Sequence, residues 1–195
     1  HGHRYQFKEY GGEHVCLVHS RHGSGVTTSP EHTTDAERFF NSDLQGIILA
    51  TPPATHRELA IRALKAGIPV LCEKPLALNY EDCSAIIDAA EKTGTALMIG
   101  HTHLWSESFP KPMAKDLTIR IGGPRPGHDY SALFDWGSHA VAMALTLAGD
   151  QVPLWWKVWP NSEDCWDIAI QYRKFQQTVR IGNQRVLSIE AGGES

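Results

Sequence analysis

The first half of the chain alternates short apolar runs with segments whose apolar residues recur at helical spacing. Three of the apolar runs have strand length: residues 46–50, 69–72 and 96–100. Continuous apolar strands separated by helices are typical of a parallel sheet that is covered on both faces. The sequence therefore predicts a doubly wound α/β domain, and we assign residues 1–104 to it. Ligands of such sheets bind beyond the carboxyl ends of the strands.

Signals for helix ends agree with this alternation. Thr55 and Glu58 have the spacing of a capping box, in which hydroxyl and carboxylate bind the first free N–H groups of a helix. Asn79 predicts the start of the next helix, and Gly67 and Gly94 predict left-handed helix ends.

The second half of the chain has a different pattern, which predicts a smaller α+β domain over residues 105–195. A stretch rich in proline and glycine, residues 122–127, leads into a helix predicted for residues 138–148. Four strand-like runs follow, near residues 155–159, 166–172, 176–182 and 186–190. Because consecutive strands with short connections pair antiparallel, we expect an open, mainly antiparallel sheet.

Composition excludes several classes of partner. The net charge is −4 with neutral histidines, and Lys and Arg do not cluster as a nucleic-acid groove or an anionic membrane surface requires. The longest apolar runs are far too short to span a bilayer, and we identify no secretory leader. The four cysteines show no Cys-x-x-Cys spacing, and Cys16 and Cys72 lie in apolar runs where a thiol acts as a small hydrophobic group. We therefore expect a reduced, cytoplasmic protein.

Histidine is frequent, with eleven copies that include two His-x-His pairs, His1 with His3 and His101 with His103. Zinc sites need three or four convergent ligands, and the first pair has no carboxylate or thiolate partner nearby. We expect no bound metal.

Polar residues follow each predicted strand at its carboxyl end. The segment 51–56 follows the first strand, Glu73 and Lys74 follow the second, and His101 follows the third. These groups would surround one crevice, where a lysine cation can stabilise a developing alkoxide. Taken alone, the adjacent Glu73 and Lys74 are more typical of a solvated surface pair.

Three segments of the sequence together resemble one family of oxidoreductases. They read GIILATPPATH at 46–56, AGIPVLCEKPLA at 66–77 and LFDWGSH at 133–139. This set is similar to the glucose–fructose oxidoreductase/inositol dehydrogenase/MocA (Gfo/Idh/MocA) family, and the resemblance weakens after residue 151. It implies a Rossmann-type first domain. It also implies an NAD(P)-dependent dehydrogenase that transfers a hydride between nicotinamide and a hydroxyl-bearing carbon of a sugar, nucleotide sugar or cyclitol.

The resemblance implies a catalytic set of Lys74, Asp135 and His139. Lys74 would lie between nicotinamide and substrate, and His139 would accept the hydroxyl proton, since imidazole titrates near neutral pH. Asp135 would bind substrate or orient the base, and its alternative role is a helix N-cap near residue 137. We expect the cofactor to contact ten residues: Gly2, Ser20, Arg21, Thr51, Pro52, Pro53, His56, Glu73, Lys74 and His101. We expect the substrate to contact five residues: Lys74, His101, Tyr130, Asp135 and His139.

Members of this family begin with a strand and a Gly-x-Gly-x-x-Gly turn that binds the pyrophosphate. Here Gly2 is the candidate remnant of that turn, and residues 15–19 form the following strand candidate. Ser20 and Arg21 come next, where NAD enzymes usually place an acidic residue. Serine and arginine suit a 2′-phosphate, which favours NADP over NAD. The alternative for Arg21 is stacking on adenine or a solvent-exposed position.

Two further questions stay open at this level. The absent first strand indicates either a trimmed sequence or a degenerate family member, and trimming is favoured because a parallel sheet without its middle strand leaves unpaired backbone groups. The alternative function is a non-catalytic relative that binds a sugar or nucleotide and has a scaffold or regulatory role. Trp155, Trp156 and Trp159 cannot all face one core, since strand side chains alternate, and together with the resemblance they predict a homo-oligomer through the C-terminal sheet.

Overall fold

The computed structural model describes residues 36–41, 44–123, 132–162 and 165–191. The chain divides into two compact units, the first ending at Gly100 and the second beginning at His101. This division lies close to the domain boundary that we predicted after residue 104. The strand candidate at residues 15–19 lies outside the described residues.

In the described residues, the first unit is built on a three-stranded parallel sheet. Its strands follow the predicted apolar runs: β1 (Ile47–Leu49), β2 (Val70–Cys72) and β3 (Leu97–Ile99). They lie in the order β1-β2-β3, and both neighbouring pairs run parallel. The helices of this unit are α1 (Ala36–Phe40), α2 (Pro53–Lys65) and α3 (Tyr80–Thr93). Because α2 and α3 connect successive strands, the predicted α/β class with a parallel sheet is confirmed.

The strands of this sheet carry apolar residues on both faces. Leu49 pairs in register with Cys72, and both are buried in one cluster with Leu64 and Ile86 from the helices. The row formed by Ile48, Leu71 and Met98 points to the other face, because side chains alternate along a strand. This arrangement explains why these runs lack polar alternation in the sequence.

The ends of the helices confirm three of the four predicted signals. The Asn79 side chain accepts a hydrogen bond from the Asp82 N–H at 2.8 Å, and Gly67 and Gly94 have φ values of 75° and 66°. The capping box at Thr55 is wrong, because Pro52 holds the N-cap position and Thr55 is the third residue of α2. Proline suits the first turn of a helix, since its fixed φ is helical and its missing N–H would have no partner there.

The second unit combines a mixed sheet with a helical layer. Its described residues begin with a short 3-10 helix, Thr102–Trp105, and include two α-helices, α4 (Ala132–Asp135) and α5 (Gly137–Ala148). The strands in this part of the chain are β4 (Leu117–Gly122), β5 (Trp155–Ser162), β6 (Cys165–Gln171), β7 (Gln176–Gly182) and β8 (Val186–Ala191). Three of the four strand pairings are antiparallel, so the predicted open, mainly antiparallel sheet is confirmed.

The order of this sheet, β5-β6-β7-β4-β8, differs from the sequential order that we predicted. β4, which was not among the predicted strands, inserts between β7 and β8 and runs parallel to β7. β4 alternates buried Leu117, Ile119 and Ile121 with the less buried Thr118 and Arg120, which is the pattern of a strand with one covered face. Its partners lie far away in the sequence, so local turn signals did not identify the pairing.

The core of the second unit lies between α5 and the strands beside it. Met143 and Leu147 of α5 share one buried cluster with Ile119 of β4 and Val179 and Ile181 of β7. At the β6–β7 turn, the ring of Tyr172 stacks on Phe175 at 4.4 Å between centroids, and its hydroxyl donates to the buried Gln177 at 3.2 Å. These contacts close the β6–β7 hairpin at its turn.

The predicted tryptophan cluster lies on β5, at one end of the described sheet order. The register with β6 puts Trp155 and Trp159 on one face. Trp156 lies on the other face, beside Ile170, and is 70% exposed because α5 packs over β4 and β7 rather than over this edge. The cluster is therefore split between two faces, as strand alternation requires.

Across the described ranges, no helix combines the length and the apolar character that crossing a membrane would need.

Candidate functional site

The carboxyl ends of β1, β2 and β3 lie at one edge of the first sheet, as in any parallel sheet. Backbone hydrogen bonds continue past the strands, from the Glu73 N–H to Leu49 O at 2.8 Å and from the Gly100 N–H to Cys72 O at 2.7 Å. Glu73 and Gly100, which directly follow β2 and β3, are therefore held in register with the neighbouring strands. Thr51 lies two residues beyond β1 and Lys74 lies two residues beyond β2, at this edge of the sheet.

His56 joins the segments that follow β1 and β2. Its Nε2 lies 2.7 Å from Thr51 O, and its Nδ1 lies 3.1 Å from Pro75 O and 3.2 Å from Leu76 O. The side chain is fully buried. We predicted His56 as a cofactor contact, and the structure places both of its ring nitrogens on backbone carbonyl groups.

Glu73 supports the backbone of Lys74 from the other side. Its Oε2 accepts a hydrogen bond from the Lys74 N–H at 3.3 Å. The carboxylate rests on Gly100, where a Cβ atom would lie 3.3 Å from each of its oxygens, closer than most side-chain contacts allow. Glycine at this position therefore leaves room for the Glu73 carboxylate. Lys74 itself is half-buried, and its peptide bond to Pro75 is cis.

The loop after β1 also has an internal hydroxyl contact. Thr55 Oγ1 donates to Thr51 Oγ1 at 2.7 Å and lies 2.8 Å from Pro52 O. Of the predicted cofactor contacts in this loop, Pro53 is buried and Pro52 is exposed. Hydroxyl and ammonium groups at one sheet edge are donors that suit the phosphate, ribose and carboxamide acceptors of a dinucleotide. Thr51, Pro52, Glu73 and Lys74 are the described residues that would hold it.

Asp135 and His139 lie on almost continuous helical backbone in the second unit. Asp135 ends α4, and the Trp136 N–H donates to Ala132 O at 2.8 Å while the Ala140 N–H donates to Trp136 O at 3.0 Å. Residues four apart on such backbone share one side of the helix. Both side chains are buried, with 8% and 5% exposure. Trp136 holds the N-cap position of α5, so the alternative role of Asp135 as that cap does not apply.

Aromatic rings surround His139. The centroid of its ring lies 5.6 Å from that of His101, 4.9 Å from that of His103 and 6.5 Å from that of Trp136. His101 was a predicted site residue, whereas His103 was considered only as half of a metal-binding pair. The signal that identifies His103 is its position two residues beyond His101, on the 3-10 helix that follows β3.

The indole ring of Trp136 packs against Gly123, which has no side chain. A Cβ atom at Gly123, directly after β4, would collide with the indole ring of Trp136. The ring therefore packs on the bare backbone of Gly123. This contact links the end of β4 to the turn between Asp135 and His139, and no local sequence pattern indicates it.

The thiol beside Glu73 is not a nucleophile. Burial raises the pKa of Cys72 to about 12, and the Glu73 carboxylate acts in the same direction because it disfavours a second negative charge. Burial also raises the pKa of Cys83 on α3. Because the thiolate is the nucleophile, a raised thiol pKa makes both cysteines poor candidates for covalent chemistry.

Four predicted site residues, Gly2, Ser20, Arg21 and Tyr130, lie outside the described residues. Lys74 belongs to the first unit and Asp135 and His139 belong to the second, so their convergence stays a prediction. Within residues 36–41, 44–123, 132–162 and 165–191, no group of three or more His, Cys, Asp or Glu side chains is arranged to hold a metal ion.

A comparison with protein families gives a match over residues 13–101. The matching family model is described as the Gfo/Idh/MocA oxidoreductase family with an NAD-binding Rossmann fold. The matched range contains the sheet edge with Thr51, Glu73 and Lys74.

Two curated relatives are similar to parts of the chain. The 2,7-anhydro-N-acetylneuraminate hydratase of Mediterraneibacter gnavus is 35% identical over 83 residues, which cover 40% of this chain and 22% of the relative. The 1,5-anhydro-D-fructose reductase of Ensifer adhaerens is 30% identical over 131 residues, which cover 64% of this chain and 39% of the relative.

Solved structures share the fold. A crystal structure of a protein from Magnetospirillum magnetotacticum MS-1 superimposes with a TM-score of 0.73 at 25% identity, over 84% of this chain and 60% of that protein. The chain thus spans well under half of the two curated relatives and somewhat more than half of the solved structure.

Proposed function

We propose that the chain, whose residues 13–101 match the model of the Gfo/Idh/MocA oxidoreductase family with an NAD-binding Rossmann fold, contributes to an NAD(P)-dependent dehydrogenase. The reaction would transfer a hydride between nicotinamide and a hydroxyl-bearing carbon of a sugar, nucleotide sugar or cyclitol. One observation carries the proposal: Thr51, Glu73 and Lys74 meet at the carboxyl edge of a parallel sheet, where α/β proteins bind nucleotides.

The proposed mechanism assigns the hydride, the hydroxyl proton and the charge on the substrate oxygen to different groups. Bound nicotinamide would accept or donate the hydride. His139 removes the hydroxyl proton as the carbon–hydrogen bond breaks, because a neutral imidazole accepts a proton near neutral pH. Lys74 stabilises negative charge on the same oxygen through its ammonium group. Asp135 binds the substrate or orients His139.

The remaining predicted contacts complete this proposal. Pro52 and Pro53 shape the loop that faces the cofactor, and His101 contacts cofactor or substrate. Tyr130 is proposed as a substrate contact. The reductase relative acts, by its name, on an anhydro sugar, which supports a carbohydrate substrate.

We propose NADP(H) as the favoured cofactor because Ser20 and Arg21 offer a hydroxyl and a guanidinium to a 2′-phosphate. Titration of NADPH and NADH into the full-length protein, followed by nucleotide fluorescence, tests this preference. Arg21→Ala should weaken NADPH binding and leave NADH binding nearly unchanged. Equal losses for both nucleotides would remove the 2′-phosphate role of Arg21.

We further propose a homo-oligomer that buries the sheet of the second unit, and a cytoplasmic location. Exposed Trp155 and Trp156 on β5 support the first proposal. The cysteines of the described ranges, Cys72, Cys83 and Cys165, are free thiols, which supports a reducing compartment. A monomer in sedimentation at micromolar concentration would contradict the oligomer.

The function is tested by binding first and by turnover second. Nucleotide titration comes first because one relative is named a hydratase, whose net reaction consumes no reducing equivalent. Turnover is then assayed with a sugar and cyclitol panel, including 1,5-anhydro-D-fructose with NADPH and myo-inositol with NADP⁺ and NAD⁺. Binding without turnover on any substrate would favour the non-catalytic alternative. Absence of nucleotide binding by the full-length protein would contradict the proposal altogether.

A further inference from the structure

We propose that His56 is a positioning residue for Lys74, and that it acts through its Nδ1 edge. This inference rests on the proposed function of Lys74. It differs from the predicted role of His56 as a cofactor contact, because His56 is fully buried and meets backbone carbonyl groups on both edges of its ring.

The contacts on the Nδ1 edge point to the segment that carries Lys74. Pro75 O and Leu76 O lie 3.1 and 3.2 Å from Nδ1, and both follow Lys74 directly in the sequence. A carbonyl oxygen only accepts hydrogen bonds, so these contacts bind the segment where Nδ1 carries a proton. The contact on the opposite edge, from Nε2 to Thr51 O at 2.7 Å, is a second hydrogen bond when Nε2 also carries a proton, as in the imidazolium form.

The backbone is therefore held by side-chain contacts on both sides of Lys74 in the sequence. On its N-terminal side, the Glu73 carboxylate accepts the Lys74 N–H and rests on Gly100. On its C-terminal side, the carbonyl groups of Pro75 and Leu76 meet His56 in the first turns of α2. The helix, anchored by buried Ala60, Ala63 and Leu64, provides the rigid element from which His56 reaches the loop.

Imidazole suits this position because its two nitrogens lie on opposite edges of one ring, so a single side chain meets two loops. Amide side chains reproduce one edge each. In asparagine the amide nitrogen is bonded to Cγ, as Nδ1 is in histidine, whereas in glutamine it lies one carbon further out, as Nε2 does. His56→Asn therefore keeps a donor for Pro75 and Leu76, and His56→Gln keeps a donor for Thr51.

The experiment compares these two variants in the full-length enzyme. His56→Gln should lower kcat by roughly 10- to 100-fold, the loss expected when a reacting group moves by about 1 Å, with KM for the nucleotide little changed. His56→Asn should retain most of kcat. If His56 contributes only packing, the kcat of His56→Gln should equal or exceed that of His56→Asn, because glutamine is the better helix former and the closer match in volume. Equal kcat values, or a higher kcat for His56→Gln, would overturn the inference.

A second measurement needs no substrate. Lysine amines are methylated with 13C-formaldehyde, and the Lys74 signal is assigned by its loss in Lys74→Arg. His56→Asn should leave this NMR signal in place, and His56→Gln should shift it. If both variants unfold, 15N-histidine NMR spectra of the wild-type protein test the inference by reporting whether His56 Nδ1 carries a proton. The inference requires this proton, and an unprotonated Nδ1 would contradict it.

The failure of the inference differs from the failure of the proposed function. If Lys74→Met leaves turnover unchanged, the proposed role of Lys74 is wrong. If Lys74→Met abolishes turnover while His56→Asn and His56→Gln behave alike, only the positioning role of His56 is wrong.

Discussion

The two parts of the candidate site are held in place by different interactions. In the first unit, polar side chains contact backbone groups: the ring nitrogens of His56 lie beside carbonyl oxygens, and Glu73 accepts a hydrogen bond from the Lys74 N–H. In the second unit, rings pack around His139 at centroid distances of 4.9 to 6.5 Å, and Trp136 packs on Gly123. Hydrogen bonds fix the direction of individual atoms, whereas ring packing fixes volume and tolerates small rotations. The comparison indicates that hydrogen bonds to backbone groups position the lysine side and that ring packing positions the histidine side.

The largest expected effects test whether both parts serve one reaction. Lys74→Met and His139→Asn should each lower turnover by roughly 10²–10⁴, the usual weight of a general acid–base or electrostatic group. Nucleotide affinity should change far less. Lys65→Met is the matched control, since Lys65 is exposed at the end of α2. Loss of turnover in one variant only would show that the two units do not share a reaction centre.

The contact between Gly123 and Trp136 tests the role of packing in the second unit. Gly123→Ala should destabilise the protein by about 1–3 kcal/mol, because the added methyl group must displace the indole ring. Gly46→Ala is the control in the first unit, where a Cβ atom would make an ordinary contact of 3.5 Å with Pro69 O. Its effect should stay within about 1 kcal/mol, which urea unfolding can resolve. Similar losses in both variants would contradict the tight packing of Trp136.

The buried thiol of Cys72 should make the free energy of unfolding depend on pH. Its pKa rises from 9.0 to about 12 on burial, so the folded chain keeps a proton that the unfolded chain loses above pH 9. The stabilising effect is complete below pH 9 and is lost as the pH rises toward 12. Chemical unfolding between pH 8 and 11 should show this decline, and Cys72→Ala should make it shallower. An identical slope in the variant would contradict the burial of the thiol.

The smallest expected effect is the difference in unfolding free energy between a variant at the start of α3 and a variant in the first turn of α2. Asn79→Ala should cost about 1 kcal/mol, since its side chain caps the Asp82 N–H at the start of α3. Thr55→Ala should change the free energy of unfolding by less than about 0.5 kcal/mol, because Thr55 is an exposed residue inside α2. A larger loss for Thr55 than for Asn79 would restore the capping box that the sequence predicts.

The sequence was most informative where structure depends on neighbours along the chain. Apolar runs predicted β1, β2 and β3, and Gly67, Asn79 and Gly94 predicted helix ends that the structure confirms. It failed at Thr55, where the proline before it competes for the start of α2. Capping signals are local, and two overlapping signals cannot be ranked without the backbone.

What the sequence by itself determined is the α/β class of the first unit, the mainly antiparallel sheet of the second, and the resemblance to the Gfo/Idh/MocA family, whose model matches residues 13–101. These features follow from periodicity and from residue motifs that are contiguous in the chain. Only the tertiary structure decided that β4 inserts beside β7, that His103 lies beside His139, and that His56 contacts the carbonyl groups after Lys74. The physical reason is that these contacts join residues far apart in sequence, and their free energy depends on packing and hydrogen-bond geometry that no local pattern records.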